Sequence, residues 1–195
     1  MPNLRVIIFD VEHGSCAFIK SPTGLTMFID CGRSEEFSPV EYVAANELRD
    51  TVPFRGYSLT RLVISHPHDD HIEDIETLTS KLEPFYLKSQ NYDWEEVKAE
   101  ESDEYENLDL YAEWKESYVP SKEARPDWGV DVTYFYLTPE EAKKLDEAKY
   151  VNNSSIVVLV THKGTKFTDK FLFGGDMEEA GGQHCSTRMQ GSEKP

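Results

Sequence analysis

The hydrophobic positions at the start of the chain fall in short runs separated by turn residues. Apolar residues at 4–10 predict a buried strand, and two further short runs, at 16–20 and 25–29, predict two more. Polar turn residues stand between the runs, including Ser-Pro-Thr-Gly at 21–24. Three short strands joined by tight turns are typical of an antiparallel meander.

Further along, apolar residues alternate between helical and strand-like spacing. Ser38 and Pro39 mark the start of a predicted helix over 39–50, because Ser is a favoured N-cap and Pro a favoured first helical residue. Thr138 and Pro139 mark another start in the same way, with Glu141 completing a capping box. Helical spacing also recurs over residues 72–82. Continuous or alternating apolar runs predict later strands at 62–65, 85–87, 130–137, 156–160 and 171–173.

Two segments lack this regular pattern. Residues 91–118 combine acidic with aromatic side chains and are predicted to be an inserted, mostly helical region. The insert is a recognition surface for a basic partner, a lid, or a solvated helical hairpin whose aromatic residues pack on the body. Residues 180–195 show no periodicity and are predicted to be a tail after one domain at 1–179.

The order of the predicted elements indicates the fold class. Antiparallel strands interrupted by helices predict a layered α/β sandwich.

Composition narrows the cellular and functional context. The 195 residues carry 20 Lys and Arg against 37 Asp and Glu, and the net charge of −17 disfavours a surface for polyanions. Nucleic acid stays possible, because residues 91–118 hold nine of those net charges. Three cysteines form no disulfide framework, and no apolar run is long enough to cross a membrane. The N-terminus leads directly into a strand, so we expect a cytoplasmic protein.

The segment Ser-His-Pro-His-Asp-Asp-His at 65–71 contains the candidate metal ligands. Residues two apart in extended chain point the same way, so His66 and His68 can reach one cation. Asp70 and His71 follow where the chain turns into a helix, and they can face a second position. Imidazole and carboxylate groups hold Zn or Mn while leaving a position open for water. A histidine-rich surface loop is the alternative, although three of the six histidines lie in this segment.

His-x-His-x-Asp-His after a buried strand resembles the signature of the metallo-β-lactamase superfamily. The runs at 9–17 and 28–32, and later at 152–157 and 171–176, are similar to the ComEC-like branch of that superfamily. The resemblance implies an αββα sandwich within the α/β class, possibly incomplete at the C-terminus, with the metals at one edge between the sheets.

The resemblance also implies a ligand set for two divalent metal ions, Zn or alternatively Mn. His66 and His68 would hold the first ion, and Asp70 and His71 the second. Asp176, at the end of an apolar strand, would bridge the pair. Asp70 or a metal-bound water would also handle the catalytic proton.

Three other residues are candidates for supporting or substrate-contacting roles. Asp30 is expected to orient a ligand histidine. His13 is either a substrate contact or a solvated turn residue, and Asn153 is a weak ligand or a substrate contact. The final histidine of the superfamily has one candidate, His184, which comes too soon after Asp176. The chain is therefore truncated, completed by a partner, or weak at its second metal.

These expectations define the function to be tested. The first hypothesis is a metal-dependent hydrolase of phosphodiesters, a nuclease or phosphodiesterase, that acts through a metal-bridged hydroxide. The second is a hydrolase of a small ester, lactone or thioester, which the net charge favours. The third is a truncated, non-catalytic binding or regulatory subunit. A protein partner or a homo-oligomer is possible, whereas association with a membrane is not expected.

Overall fold

Two β-sheets form the centre of the protein. The structure is a computed structural model that describes residues 3–100, 106–119 and 126–191. The first sheet has five strands, in the order β1 (Arg5–Ile8), β2 (Ala17–Lys20), β3 (Thr26–Ile29), β4 (Leu59–Val63) and β5 (Pro84–Lys88). The second has three, in the order β6 (Asp131–Phe135), β7 (Val157–Lys163) and β8 (Thr168–Phe173).

Helices occupy the connections between these strands. They are α1 (Pro39–Asn46), α2 (Asp69–Ile72), α3 (Ile75–Lys81), α4 (Trp94–Glu100), α5 (Glu106–Ser117), α6 (Pro139–Leu145), α7 (Tyr150–Asn153) and α8 (Glu179–Gly191), with short 3₁₀ turns at Leu48–Asp50 and Glu147–Lys149. The predicted caps are confirmed. The Ser38 hydroxyl accepts a hydrogen bond from the backbone N–H of Glu41, and Thr138 and Glu141 form the capping box. None of the described helices combines the length and hydropathy that a bilayer crossing requires.

Strand direction follows from the connections. The turns between β1, β2 and β3 produce the predicted antiparallel meander. Strands β3, β4 and β5 run parallel, because helices carry the chain back between them. The three strands of the second sheet are antiparallel to their neighbours.

The central strands of the first sheet, β2 to β4, are buried on both faces. Phe18, Phe28 and Leu62 lie on one face and pack with buried residues of α1, α3 and α5. Met27 and Val63 lie on the opposite face and pack against the second sheet. The order of layers is therefore helices, first sheet, second sheet, which confirms the α/β class and places the main core around the five-stranded sheet.

The second sheet is enclosed on one face. Phe171 and Phe173 pack into the core between the sheets. Leu172 points the other way and is 66% exposed. The buried residues of α6 and α7, among them Ala142 and Tyr150, belong to the same core as the first helical layer. The outward face at Leu172 is exposed in the described part of the chain, which agrees with an αββα sandwich that is incomplete towards its C-terminus.

The acidic insert is helical, as predicted, and forms α4 and α5. Its apolar residues Val97, Leu108 and Tyr111 are buried in the main core, so the insert packs on the body. The Lys115 ammonium lies 5.2 Å from the centre of the Trp94 ring and donates to the Gln90 carbonyl. Residues 101–105 of the insert lie outside the described ranges.

The predicted tail was wrong for residues 180–191, which belong to α8. The consecutive glycines at 181 and 182 give this segment a low helix propensity, so the sequence pattern did not predict the helix. Here Gly181 allows a close approach: its N–H donates to the Asn153 side chain at 3.2 Å. Cys185, further along, is buried. Residues 192–195 lie outside the described ranges.

Candidate metal centre

The metal-binding candidates meet where strands of both sheets end. Asp30 directly follows β3, and His66 lies just beyond β4. The short helix α2 carries Asp70 and His71, and Asp176 follows β8 of the second sheet. The backbone N–H of Ile156, before β7, donates to the Ser65 carbonyl at 2.9 Å and joins the two sheets here.

Three of the predicted ligands converge on one point. One ligand atom each of His66, His71 and Asp176 lies within 4.8 Å of the others. The Nε2 of His71 is 3.2 Å from Oδ1 of Asp176. The Nε2 of His66 is buried and has no hydrogen-bond partner among the described residues. A buried polar atom without a partner is costly, and a divalent cation would satisfy it, so this donor set fits Zn or a similar ion.

His68 and Asp70 lie next to His66 and His71. The His68 ring centre lies 4.7 Å from that of His66, and the His66 and His71 rings are 4.1 Å apart. The Asp70 carboxylate is 3.9 Å from Nε2 of His71. The structure therefore gathers His66 with His71 and Asp176, whereas the sequence pairs His66 with His68 on one ion.

Asp30 is the main support of the histidines. One of its carboxylate oxygens accepts the Ser65 N–H at 2.7 Å, and the other accepts the Ser65 hydroxyl and Nδ1 of His71, both at 2.9 Å. Because Nδ1 of His71 faces this carboxylate, its Nε2 is directed towards Asp176. This is the position the sequence analysis expects for Asp30.

Two serines near His66 were missed by sequence reasoning. Nδ1 of His66 lies 3.1 Å from the Ser65 hydroxyl and 3.2 Å from the Ser155 hydroxyl, and both serines are buried. The polar segment 152–155 indicated a contact with the metal site, but the sequence analysis named Asn153 instead of Ser155 as the contacting residue. Asn153 is buried against α8, where its side chain accepts the Gly181 N–H.

The remaining histidines and Asp69 lie around or away from this group. His13 is exposed in the turn between β1 and β2, and His184 is exposed on α8. His162 lies 3.6 Å from Asp169 on the second sheet. The Asp69 carboxylate accepts a hydrogen bond from the Asn107 amide at 2.8 Å. That bond holds the start of α5 against the loop that carries the ligands.

Two glycines fix the backbone of that loop. A Cβ atom at Gly14 or at Gly32 would overlap the carbonyl oxygen of Asp70. The same oxygen accepts the Ser15 N–H at 3.2 Å. The turn after β1 and the segment after β3 therefore both lie against the peptide group between Asp70 and His71. Only glycine at positions 14 and 32 leaves enough room for this contact.

The charges of the ligands depend on these contacts. Burial lowers the pKa of His66 well below its usual value, and burial together with the His71 charge lowers the pKa of His68 to about 4. Burial also acts to lower the pKa of His71, but Asp30 and Asp176 outweigh it and raise this pKa to about 10. Burial raises the pKa of Asp70. Two neutral histidines thus adjoin a protonated one.

Comparison with known proteins gives structural similarities alone. No protein-family profile and no curated protein sequence matches the chain. Solved structures do match: the Rm3 metallo-β-lactamase (15% identity, TM-score 0.47), a Cronobacter sakazakii metallo-β-lactamase with a HARLDQ motif (14%, 0.44) and the metallo-β-lactamase fold protein YhfI from Bacillus subtilis (15%, 0.41). The matches cover 87%, 87% and 85% of this chain and 58%, 58% and 60% of those proteins. The chain thus spans about three fifths of their length.

Proposed function

We propose that this chain is a metal-dependent hydrolase whose centre is formed by His66, His71 and Asp176. One observation carries the proposal: the buried Nε2 of His66 has no hydrogen-bond partner in the part of the chain that the structure describes, and a ligand atom of His66 lies within 4.8 Å of ligand atoms from two other side chains. A purely structural cluster would satisfy that nitrogen. His68 and Asp70 lie close enough to join the ligand set or to contact a substrate.

The residues of the chain have separate tasks in this proposal. Asp30 holds His71 in one orientation, and the Ser65 and Ser155 hydroxyls do the same for His66. A divalent cation, when bound, supplies a Lewis acid and lowers the pKa of water. Asp70 is partly exposed, and its raised pKa suits a carboxylate that accepts a proton from water and passes it to a leaving group.

Phosphodiesters are the first substrate class we propose, with Zn as the first metal. A centre of imidazoles and carboxylates can bind a phosphoryl oxygen, and the resemblance of the flanking segments to the ComEC-like branch supports the same class. A small ester, lactone or thioester is the second class, which the net charge of −17 favours. The same metal geometry serves many leaving groups, so the substrate must be measured.

The test combines metal content with hydrolysis. We expect wild-type protein to retain zinc or manganese, and the His66→Ala and Asp176→Ala variants to retain less. The loaded protein should hydrolyse bis(p-nitrophenyl) phosphate in preference to p-nitrophenyl acetate. The reverse preference would favour the second substrate class. Retention of metal without turnover of any substrate in a broad panel would overturn the proposed activity but not the metal centre.

A non-catalytic binding subunit is the alternative function. The outward face of the second sheet supports it, because Leu172 is 66% exposed there. Exposed apolar side chains on a sheet face are suited to association with a partner or with a second copy. In that case the metal would have a structural role, and its removal would lower the melting temperature without the loss of any activity.

A further inference from the structure

A buried arginine lies between the two sheets, away from the metal centre. Arg61 of β4 is 5% exposed. Its guanidinium carbon lies 5.0 Å from the centre of the Trp128 ring, 5.8 Å from that of Tyr86 and 5.9 Å from that of Tyr134. Its one hydrogen bond within the described ranges runs from Nη1 to the Tyr134 hydroxyl, at 2.7 Å. Three rings thus surround a cation that has five N–H donors.

Lys88 adds a second positive charge to the same face of the sheet. In the parallel pairing of β4 with β5, Arg61 is opposite Tyr86 and Val63 is opposite Lys88. Residues two apart in a strand share a face, so Lys88 lies on the same side as Arg61. Its ammonium group is 4.1 Å from the centre of the Tyr136 ring. We call Arg61, Lys88 and the four rings around them the cation–aromatic cluster.

Neither cation of this cluster has an acidic partner. Within residues 3–100, 106–119 and 126–191, Arg61 and Lys88 form no ion pair, although the chain holds 37 acids against 20 Lys and Arg. A buried charge without a counter-ion is expensive. The Trp128 indole N–H is also buried without a hydrogen-bond partner among the described residues. Apart from the Tyr134 hydroxyl, the described residues thus offer no acceptor to the two cations or to the Trp128 N–H.

We propose that the cation–aromatic cluster is an anion-binding site that takes a phosphate group. A guanidinium stacked on aromatic rings keeps its N–H donors at its edge, where they match two oxygens of one phosphate. Lys88 supplies a second charge, and the side chains of Tyr86, Lys88 and Tyr136 are each partly exposed, so this side of the cluster is in contact with solvent. A phosphate also supplies only acceptors, which is the complement of what the cluster offers.

The position of the cluster relates it to the metal centre. The carbonyl of Lys88 accepts the N–H of Ile64, two residues before His66, so Lys88 and the ligand loop lie at the same end of the first sheet. The phosphate can therefore be free, or it can belong to a single nucleic acid strand whose bases stack on the tyrosine rings. The site does not depend on metal, so its test is separate from that of the proposed hydrolase.

The experiment measures binding of inorganic phosphate and of a five-nucleotide thymidine strand by calorimetry, with and without zinc. The variants are Lys88→Gln and Arg61→Gln, with Lys166→Gln, an exposed lysine of the β7–β8 hairpin, as the matched control. Loss of a charged hydrogen-bonding partner should weaken binding about 10-fold or more in Lys88→Gln, while Lys166→Gln binds like wild type. Lys88 is half-buried, so this variant decides the result even where Arg61→Gln fails to fold.

The two probes identify the source of the phosphate. Binding of inorganic phosphate alone, weakened in Lys88→Gln, indicates a free phosphate group. Tighter binding of the oligonucleotide, with a decrease in affinity as salt increases, indicates a nucleic acid strand. Binding of neither probe to wild type, or equal binding by Lys88→Gln and Lys166→Gln, would overturn the proposal.

Discussion

The two sheets contribute to the metal centre from very different surroundings. The five-stranded sheet lies between helices on one face and the second sheet on the other, and Phe28 and Leu62 are fully buried in it. The three-stranded sheet is covered on one face, and Leu172 on its other face is 66% exposed. One side of the candidate centre thus belongs to the enclosed five-stranded sheet and the other to a sheet with one exposed face.

The same contrast holds for the ligands themselves. Asp30, His66 and His71 are each at most 1% exposed and share a closed set of hydrogen bonds with Ser65. The Asp176 side chain, from the second sheet, is 46% exposed and meets His71 alone among these residues. The enclosed side fixes ligand geometry in advance, and the open side is where a substrate can enter.

Removal of an enclosed ligand should have the largest effect. His66→Ala leaves the buried serines without their imidazole and should lower zinc affinity by more than the about 100-fold typical of supporting residues. His184→Ala, at an exposed histidine of α8, is the control and should bind zinc like wild type. Zinc titration against a competing chelator measures both. A larger loss in His184→Ala would break the comparison, because α8 would then supply a ligand.

Core truncations compare the sheets directly. Leu62→Ala removes a fully buried side chain and should lower the free energy of unfolding by about 2–5 kcal/mol. Leu172→Ala removes an exposed side chain and should change it by less than about 0.5 kcal/mol. Urea unfolding measures the difference. A cost at Leu172 close to that at Leu62 would mean that the open face is covered in solution, for example by a second copy.

Changes at the two carboxylates sharpen the comparison further. Asp30→Asn keeps the shape of the side chain, and Asn tolerates the φ of 56° found there. The variant loses the charge that orients His71, so zinc affinity should fall about 10- to 100-fold. Asp176→Asn, on the open side, replaces the charge of a proposed ligand by a neutral amide, so zinc affinity should fall at least as far as in Asp30→Asn while the fold is retained. Unchanged zinc affinity in Asp176→Asn would exclude Asp176 from the ligand set.

Much of this arrangement could be predicted from the sequence, and the failures have physical causes. The caps at Ser38 and Thr138 and the meander follow local rules, so they were predicted correctly. Residues 66–71 could be singled out because closely spaced His and Asp side chains are common metal ligands, and the structure brings His66 and His71 together with Asp176. The Ser155 contact could not be found, because it joins residues 89 positions apart. Helix α8 was missed because its two glycines disfavour a helix locally, whereas its contact with Asn153 joins residues far apart in the sequence.

Zinc affinity should also depend on pH, because one of the enclosed histidines is protonated in the absence of metal. The raised pKa of His71 stabilises the metal-free fold below the unfolded value near 6.5, and this contribution is lost as pH rises through about 10. Zinc must displace that proton, whereas His66 and His68 have lowered pKa values and are already neutral. Zinc affinity should therefore rise about tenfold per pH unit between about pH 7 and 9. A flat chelator titration over that range would contradict it.

The glycines at positions 14 and 32 have a consequence for how this chain can vary. Neither can hold a metal ion through a side chain, yet both lie against the carbonyl oxygen of Asp70 from different parts of the sequence. A library of all single substitutions, selected for zinc retention, should therefore reject every change at these two positions as firmly as changes at the histidines. The tolerance of the chain to mutation would thus be decided by backbone clearance as well as by metal chemistry.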